Sequence, residues 1–215
     1  MKLRDSGMPD EAYWETLFDV PLVLTRMGIE GTLGDVVELG CGYGTFSIPI
    51  ARAIRGTLHT FDVDPAMVAR TTERAADLPT GKLVCQLRDV MADGFGVTGA
   101  DAALVFNLLH CEEPVALLHH AADAVRAGGH VLVIHWRYGE TPRGPSLDIR
   151  PRPEQIAAWA QQTGRLVPQD NAIDLPPWHY GWRFRVQSAS IDHAPPPTTS
   201  KKIDASSIDQ SVRAS

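Results

Sequence analysis

The sequence predicts an α/β fold: a doubly wound, mostly parallel sheet of seven strands, with helices on both faces and an antiparallel last strand. Three observations predict it. Short β-branched runs alternate with helical patterns, a glycine-rich turn follows the first run, and after Gly164 the alternation gives way to two strands joined by a short turn. Parallel neighbours need a crossover connection, usually a helix, whereas antiparallel neighbours do not.

Five short apolar runs are predicted as the parallel strands, namely Asp35–Leu39, Thr57–Val63, Lys82–Leu87, Ala102–Phe106 and His130–His135. Two further strands, at about Leu166–Ala172 and Gly181–Gln187, are separated by the turn Pro176-Pro177-Trp178-His179-Tyr180. Because that turn is too short for a helical crossover, the last two strands should be antiparallel to each other.

Helical patterns lie between most of these strands and before the first, namely at about 10–26, Thr45–Ile54, Pro65–Ala76, Pro114–Arg126 and Pro153–Thr163. Asp64 is the predicted N-cap of its helix, and Pro65 occupies the first helical position. Gly128-Gly129 and Gly164 are expected to stop the helices that precede them. The alternation predicts right-handed crossovers over both faces of the sheet.

Composition excludes several classes of protein. The chain has 215 residues, 20 Lys+Arg and 26 Asp+Glu, a formal net charge of -6 that argues against a general basic surface for nucleic acid. No run approaches the roughly 20 apolar residues that span a bilayer, and residues 1–10 show no secretory signal. The three cysteines form no CxxC pair. We therefore expect a reduced, cytoplasmic protein without a nucleic-acid partner, a membrane partner or a metal.

The composition also changes along the chain. All 18 glycines lie at or before Gly181, and the last aromatic residue is Phe184. From Ser188 onward the sequence is rich in Ser, Ala, Asp and Pro, and such a segment buries too little apolar surface to offset its ordering entropy. We expect one domain over 1–187 and a disordered tail over 188–215, with a short partner-binding segment as the alternative for the tail.

The strongest functional signal is the turn after the first strand. Residues 36–44 read VVELGCGYG, which places Glu38 two residues before Gly40 and further glycines at 42 and 44. Glycines are needed where a strand turns sharply into a helix and a ligand approaches the backbone. A nicotinamide-binding loop favours G-x-G-x-x-G, which Thr45 breaks. A carboxylate at Glu38 would be unfavourable beside a pyrophosphate but suits an ammonium group.

This segment resembles the first motif of the class I S-adenosylmethionine-dependent methyltransferases, E/D-x-G-x-G-x-G. The resemblance covers roughly Val36–His135 and extends to four later landmarks. These are the acid Asp62 in FDVDPAM, the acid Asp89 in RDV, the strand exit FNLLH from Phe106, and RAGGHVL from Arg126. The five in order are specific, whereas each alone is not. The later stretches TPRGP from Thr141, IRP from Ile149 and HYG from His179 also resemble a group of small bacterial methyltransferases. The resemblance implies a Rossmann-like fold.

The resemblance also implies S-adenosylmethionine as the cofactor. The glycine loop would hold its methionine part, Glu38 its amine, Asp62 the ribose hydroxyls and Asp89 the adenine amino group. The implied cofactor-binding residues are Glu38, Gly40, Cys41, Gly42, Tyr43, Gly44, Asp62, Val63, Met67, Asp89, Val90 and Asn107. Met67, expected to cover the adenine, could instead be a core residue, and Asp89 a turn residue.

Ligands of doubly wound sheets lie outside the carboxyl ends of the strands. His110, His135 and His179 are predicted near that edge, where each is a candidate general base. The alternative is that each is a hydrogen-bonded structural residue. Trp136, Arg143 and Tyr180 are candidate acceptor contacts.

The Arg- and Pro-rich segment 137–153 could act as a lid whose arginines clamp an anionic group, or as a solvated connector.

The predicted function is methyl transfer to a small-molecule acceptor, with the oligomeric state left open. In-line displacement on an activated methyl group needs positioning, and it needs a base only when the nucleophile must lose a proton. The sequence has no large insertion, and its Asn107-Leu108-Leu109-His110 segment lacks the N/D-P-P-Y pattern of amino-directed nucleic-acid methylases. Two alternatives remain: a non-catalytic S-adenosylmethionine-binding or partner-subunit protein, and an NAD-dependent dehydrogenase.

A thiol or soft-metal site at Cys41, Cys111 and His110 is a further hypothesis, but no ligand spacing supports it.

Overall fold

The computed structural model describes residues 8–188. Within them, one sheet contains eight strands: β1 Val36–Leu39, β2 Leu58–Asp62, β3 Leu83–Leu87, β4 Ala100–Phe106, β5 Val125–Trp136, β6 Leu166–Pro168, β7 Ile173–Leu175 and β8 His179–Val186. Their order is β3-β2-β1-β4-β5-β8-β6, and β7 also pairs with β8. The predicted doubly wound α/β fold is confirmed.

The direction of the strands decides where a ligand can bind. Strands β1 to β5 are parallel, and β8 runs antiparallel to β5 from His130↔Arg185 to Trp136↔His179. The chain builds outward from β1 to β3 and then returns to place β4 on the other side of β1. This reversal opens a crevice at the carboxyl ends of β1 and β4.

Seven helices of the described part cover the sheet, α1 Glu11–Glu15, α2 Val20–Met27, α3 Ser47–Ala53, α4 Pro65–Arg74, α5 Val90–Asp93, α6 Pro114–Ala124 and α7 Pro153–Gln162. One face of the sheet is packed with buried residues of α6 and α7, such as Leu117 and Ile156. The other face is packed with residues of α2 and α3, such as Met27 and Ile50. The expected helix cap is present, since Asp64 Oδ1 accepts a hydrogen bond from the Ala66 amide at 2.8 Å.

The predicted helix at 10–26 is two helices. Thr16 ends α1, and Asp19 caps α2 by accepting a hydrogen bond from the Leu22 amide at 3.0 Å. Pro21 lies in the first turn of α2. An acidic cap followed by proline starts a new helix, so the sequence contained the signal for this break.

Of the strand predicted at Leu166–Ala172, only Leu166–Pro168 forms a strand, β6, and β7 follows it as a strand that was not predicted. The two pair with opposite ends of β8. Strand β6 ends at Pro168, although the backbone N–H of Gln169 still donates to the Arg183 carbonyl at 2.9 Å. Between β6 and β7 Asp170 pairs with Arg183 of β8. The sheet therefore has eight strands rather than seven.

The helix stop predicted at Gly128-Gly129 is wrong. Helix α6 already ends at Ala124, and both glycines lie in the irregular start of β5. There the pairing with β4 shifts register between Ala100 and Ala102. Gly129 fits against the backbone of β4, because a Cβ on it would come within 2.7 Å of the Asp101 carbonyl oxygen.

No helix among residues 8–188 is long and apolar enough to cross a bilayer. All but the first residue of the segment predicted as a disordered tail lies outside the described residues. The assignment of 1–187 to one domain stays a prediction.

Candidate active site

A cavity of about 370 Å³ lies at the carboxyl ends of β1, β2 and β4. Part of its wall is formed by the turn after β1 and by the end of β2, including Gly40, Gly42 and Asp62, which we call the polar end. Another part is formed by aromatic side chains and a loop after β5, namely Trp14, Phe46, Phe106, Trp136 and residues 143–145, which we call the aromatic end. The wall thus offers both polar groups and apolar rings to a ligand.

The turn after β1 favours glycine at three of its positions. Gly40, Gly42 and Gly44 have φ angles of +79°, +51° and +81°, which side chains disfavour. A Cβ on Gly40 would come within 3.2 Å of Leu108, and one on Gly44 within 3.2 Å of Thr71. The backbone therefore borders the cavity directly at Gly40, and α4 packs closely against the turn at Gly44.

Asp62, at the end of β2, fastens this turn. Its Oδ2 accepts a hydrogen bond from the Gly42 amide at 3.1 Å, and its Oδ1 accepts one from the Asp64 amide at 3.0 Å. From the other side, the Thr71 hydroxyl of α4 donates to the Gly42 carbonyl at 2.9 Å. The Asp62 carboxylate is held in a fixed orientation at the cavity wall.

Glu38 is a buried acid on the cavity wall. Glu38 is only 2% exposed, and its Oε2 accepts a hydrogen bond from the Ser47 hydroxyl at 2.5 Å. Burial raises the pKa of Glu38 to about 7, because the charged form loses hydration, although the Ser47 hydroxyl opposes the shift. Near neutral pH this carboxyl is ready to ionise when a cation arrives.

The structure places eight of the residues predicted to bind a cofactor on the cavity wall, namely Glu38, Gly40, Cys41, Gly42, Asp62, Val63, Met67 and Asn107. Four others do not line it: Tyr43, Gly44, Asp89 and Val90. The Tyr43 hydroxyl donates to the Pro9 carbonyl at 2.8 Å, and Asp89 caps α5 through the Met91 amide at 3.0 Å. Val90 is buried in the core.

Asn107 shapes the exit of β4. Among residues 8–188 it is the one non-glycine residue with a positive φ, at +58°. Asparagine tolerates this conformation better than most residues. The backbone N–H of Asn107 donates a hydrogen bond to the Ile134 carbonyl at 2.7 Å, which keeps the exit of β4 against β5. The chain then turns so that Leu108 and His110 reach the cavity.

The three candidate histidines do not converge. His110 is 5% exposed and lines the cavity, and its ring lies 5.6 Å from that of His135. His179 instead packs against Phe18 and Trp136, with ring centroids 4.5 and 4.2 Å away. Since successive residues of β5 point to opposite faces of the sheet, His135 and the Trp136–His179 pair lie on different faces.

Burial keeps the two histidines behind the cavity neutral. His135 is fully buried, and neither ring nitrogen has a hydrogen-bond partner among the described residues. Its pKa lies well below the usual value because of burial and the nearby His110. Burial likewise lowers the pKa of His179 to about 3. Neither ring borders the cavity, so a direct proton transfer to a ligand there is open to His110 alone among the three.

Of the three residues predicted to contact the acceptor, two line the cavity and one does not. Trp136 and Arg143 line the cavity. Tyr180 does not: its hydroxyl donates to the Pro151 carbonyl at 2.8 Å, and burial raises the pKa of this phenol. The tyrosine therefore supports the segment that follows β5.

That segment, residues 137–152, is organised by Arg150, which is only 7% exposed. Its guanidinium donates to the carbonyl oxygens of Arg137, Gly139 and Pro145 at 2.6 to 3.0 Å, and to the Thr141 hydroxyl at 2.7 Å. Gly144, with φ +111°, lies flat on Trp136, since a Cβ there would come within 2.8 Å of the indole. The buried arginine thereby holds residues 143–145 over the aromatic end of the cavity.

Several cavity residues were not predicted from the sequence, above all Thr45, Phe46, Phe106 and Gly144-Pro145. Two signals could have found some of them. Thr45 and Phe46 directly follow the glycine turn, and Phe106 is the last residue of a strand whose carboxyl end faces the ligand edge.

Within the described part of the chain, no group of three His, Cys, Asp or Glu side chains is placed to hold a metal. The sulfur that Cys41 contacts is that of Cys85, at 3.7 Å.

A family model described as a methyltransferase domain matches residues 36–129. No curated protein matches the chain significantly.

Solved structures share the fold. A SAM-dependent methyltransferase from Aquifex aeolicus is 17% identical, with a TM-score of 0.71 over 82% of this chain and 94% of that one. The N-methyltransferase NodS from Bradyrhizobium japonicum WM9, in complex with S-adenosyl-L-homocysteine, is 16% identical, with a TM-score of 0.62 over 85% and 90%. The [4+2]-cyclase SpnF is 14% identical, with a TM-score of 0.65 over 86% and 85%. The predicted resemblance to class I methyltransferases is confirmed.

The buried Glu38 makes stability depend on pH. Its pKa is raised on folding, so the folded state holds more protons than the unfolded state between about pH 4.5 and 7, and stability falls as pH rises through that range. Between pH 5 and 8 we expect the free energy of unfolding of the wild-type protein to fall by about 2–3 kcal/mol more than that of Glu38→Gln. Urea unfolding of both proteins at several pH values in that range measures the difference.

The exposed Glu30 provides the control, since Glu30→Gln should leave the pH profile unchanged. Parallel profiles for the wild-type protein and Glu38→Gln would contradict a raised pKa at Glu38.

Proposed function

We propose that this chain, whose residues 36–129 match a methyltransferase domain, transfers a methyl group from S-adenosylmethionine to a small-molecule acceptor. One observation supports the proposal above the others. The same cavity is lined by the glycine turn and Asp62 and also by a set of aromatic rings and residues 143–145. A small acceptor among those rings would lie beside the cofactor.

The polar end of the cavity fits the cofactor's functional groups. Glu38 supplies a carboxyl that becomes charged beside an ammonium group. The Asp62 carboxylate is already fixed by two backbone amides and can accept hydrogen bonds from two ribose hydroxyls. Gly40 and Gly42 place backbone rather than side chains on this part of the cavity wall. When bound, S-adenosylmethionine supplies a methyl group activated by its sulfonium.

The aromatic end suits an apolar, ring-bearing acceptor. The rings of Phe46 and Phe106 lie 5.2 Å apart, and those of Trp14 and Trp136 lie 6.4 Å apart. Such rings bury large apolar areas and pack against flat ligands. Arg143 offers a cation beside them. In this arrangement the protein would position the acceptor nucleophile and exclude water, which is what displacement on an activated methyl group needs.

His110 is the residue we assign to the acceptor's proton. It is the one candidate histidine on the cavity wall, close to the exit of β4. From there it could orient an acceptor hydroxyl or amine and take its proton as the methyl group transfers. Whether the transfer uses a base depends on the acceptor atom.

Ligand binding tests the assignment of cofactor. Isothermal titration should show binding of S-adenosylmethionine and S-adenosylhomocysteine and none of NAD. Asp62→Ala should weaken binding of both adenosyl compounds by about 1–3 kcal/mol, the usual effect of losing a charged hydrogen bond. Asp77→Ala, at an exposed acid beyond α4, is the matched control and should leave the affinity unchanged.

Binding of NAD alone would favour a dehydrogenase and exclude the proposed reaction. Tight binding of S-adenosylmethionine without turnover over a broad panel of small acceptors would favour a non-catalytic binding protein.

A second prediction concerns His110. His110→Ala should lower kcat by about 10²-fold or more while leaving the Kd for S-adenosylhomocysteine within a factor of about two. His119→Ala, on the exposed surface of α6, is the control histidine and should behave like the wild-type protein. Wild-type kcat in a folded His110→Ala variant would return His110 to a purely structural role.

A third prediction concerns Arg150. Arg150→Met removes the donors that hold residues 143–145 over the cavity, so the KM for the acceptor should rise by roughly tenfold, since small misplacements are costly in catalysis. The affinity for S-adenosylhomocysteine should change little. Arg152→Met is the control, because this exposed arginine stacks on Tyr138 and does not reach the same carbonyls.

If Arg150→Met does not fold, Arg150→Lys keeps the charge with fewer donors and should show a smaller rise in the same KM. An equal loss of acceptor and cofactor binding in both variants would show that Arg150 stabilises the fold as a whole.

A further inference from the structure

Two cysteines meet beside the glycine turn. Cys41 lies between Gly40 and Gly42, and Cys85 lies in the middle of β3, opposite Thr60 of β2. Their sulfur atoms are 3.7 Å apart and hydrogen-bonded to each other. Strand β2 lies between β1 and β3, so this contact exists only because the turn reaches over β2.

The two thiols differ in exposure. Cys85 is half-buried on the edge strand and can be reached by a small reagent. Cys41 is 4% exposed and lies on the cavity wall. Their hydrogen bond lowers the pKa of Cys85 and raises that of Cys41, so Cys85 is the stronger candidate for a thiolate. A reachable thiolate beside a buried partner thiol is the usual arrangement of an oxidation-sensitive pair.

We propose that Cys41 and Cys85 form a modification site at which a hydroperoxide generates an intramolecular disulfide, and that this bond weakens cofactor binding. The second half of the proposal rests on the proposed function, whereas the first half does not.

The chemistry balances with a hydroperoxide as the oxidant. The Cys85 thiolate attacks the O–O bond, gains one oxygen as a sulfenic acid, and releases an alcohol or water. The Cys41 sulfur then attacks the Cys85 sulfur, so that the S–S bond forms and the S–O bond breaks. The departing hydroxide takes the Cys41 proton and leaves as water. The two thiols lose two electrons, and the peroxide gains them.

The disulfide would act on the cofactor through the turn. A disulfide is about 2.05 Å long, so the sulfurs must approach by about 1.6 Å. Cys41 Sγ also lies 3.7 Å from Asp62 Oδ2, the atom that accepts the Gly42 hydrogen bond. Drawing Cys41 towards β3 therefore disturbs the Asp62–Gly42 contact and the ribose-binding carboxylate together.

The experiment treats the full-length reduced protein with hydrogen peroxide and measures the products by mass. We expect the intact mass to fall by two hydrogen atoms and the free thiols to fall from three to one. The three cysteines fall in separate tryptic peptides, 27–52, 83–88 and 89–126. The mass of two disulfide-linked peptides therefore shows which cysteines are joined. The S-adenosylhomocysteine Kd should rise by roughly fivefold or more, a typical coupling, and recover with dithiothreitol.

Two variants complete the design. Cys85→Ser should form no intramolecular disulfide and keep its affinity after treatment. Cys111→Ala should still form the Cys41–Cys85 bond, because Cys111 is buried in a core cluster with Leu109 that includes neither of the other two cysteines.

A disulfide that includes Cys111, or none at all, would overturn the modification site. A Cys41–Cys85 bond that leaves the Kd unchanged would overturn its effect on the cofactor. Failure of the reduced protein to bind S-adenosylhomocysteine would instead count against the proposed function, and the mass measurement would still decide whether the disulfide forms.

Discussion

The hydrogen bond between the Gly42 amide and the Asp62 carboxylate is the interaction on which the candidate site depends. It connects the turn after β1 to the end of β2, two segments about twenty residues apart in the chain. With the Thr71 hydroxyl on the Gly42 carbonyl, it fixes the turn from both sides. A ligand would meet a prearranged backbone and carboxylate, so little ordering entropy would be lost on binding.

The same region concentrates buried polar groups, which cost free energy unless they are satisfied or neutral. Glu38 is a carboxyl with a raised pKa, His135 and His179 are held neutral, and Arg150 is surrounded by carbonyl oxygens. Of these four groups only Glu38 borders the cavity, and the other three lie behind its wall. The buried polar groups therefore help to form the wall of the site, and Glu38 also offers a carboxyl group to a ligand.

The fold alone does not decide the reaction. Structural neighbours include methyltransferases and a [4+2]-cyclase on the same architecture. The residues around the cavity, rather than the fold, decide the reaction. In this protein the aromatic end is formed by α1, by the turn into α3, by the exit of β4 and by the loop that Arg150 holds, four segments far apart in sequence.

The sequence by itself determined the sheet, its direction and the polar end of the cavity. Strand alternation, the glycine turn and Asp62 are local patterns, and each is specified by neighbouring residues. Only the tertiary structure decided which polar side chains line the cavity. His110, His135 and His179 look equivalent along the chain, yet alternation within β5 and pairing with β8 send them to different faces. Likewise, Cys41 contacts Cys85 because the turn crosses β2, and Arg150 is buried because its loop folds around it. Such contacts depend on long-range packing, which local sequence patterns do not specify.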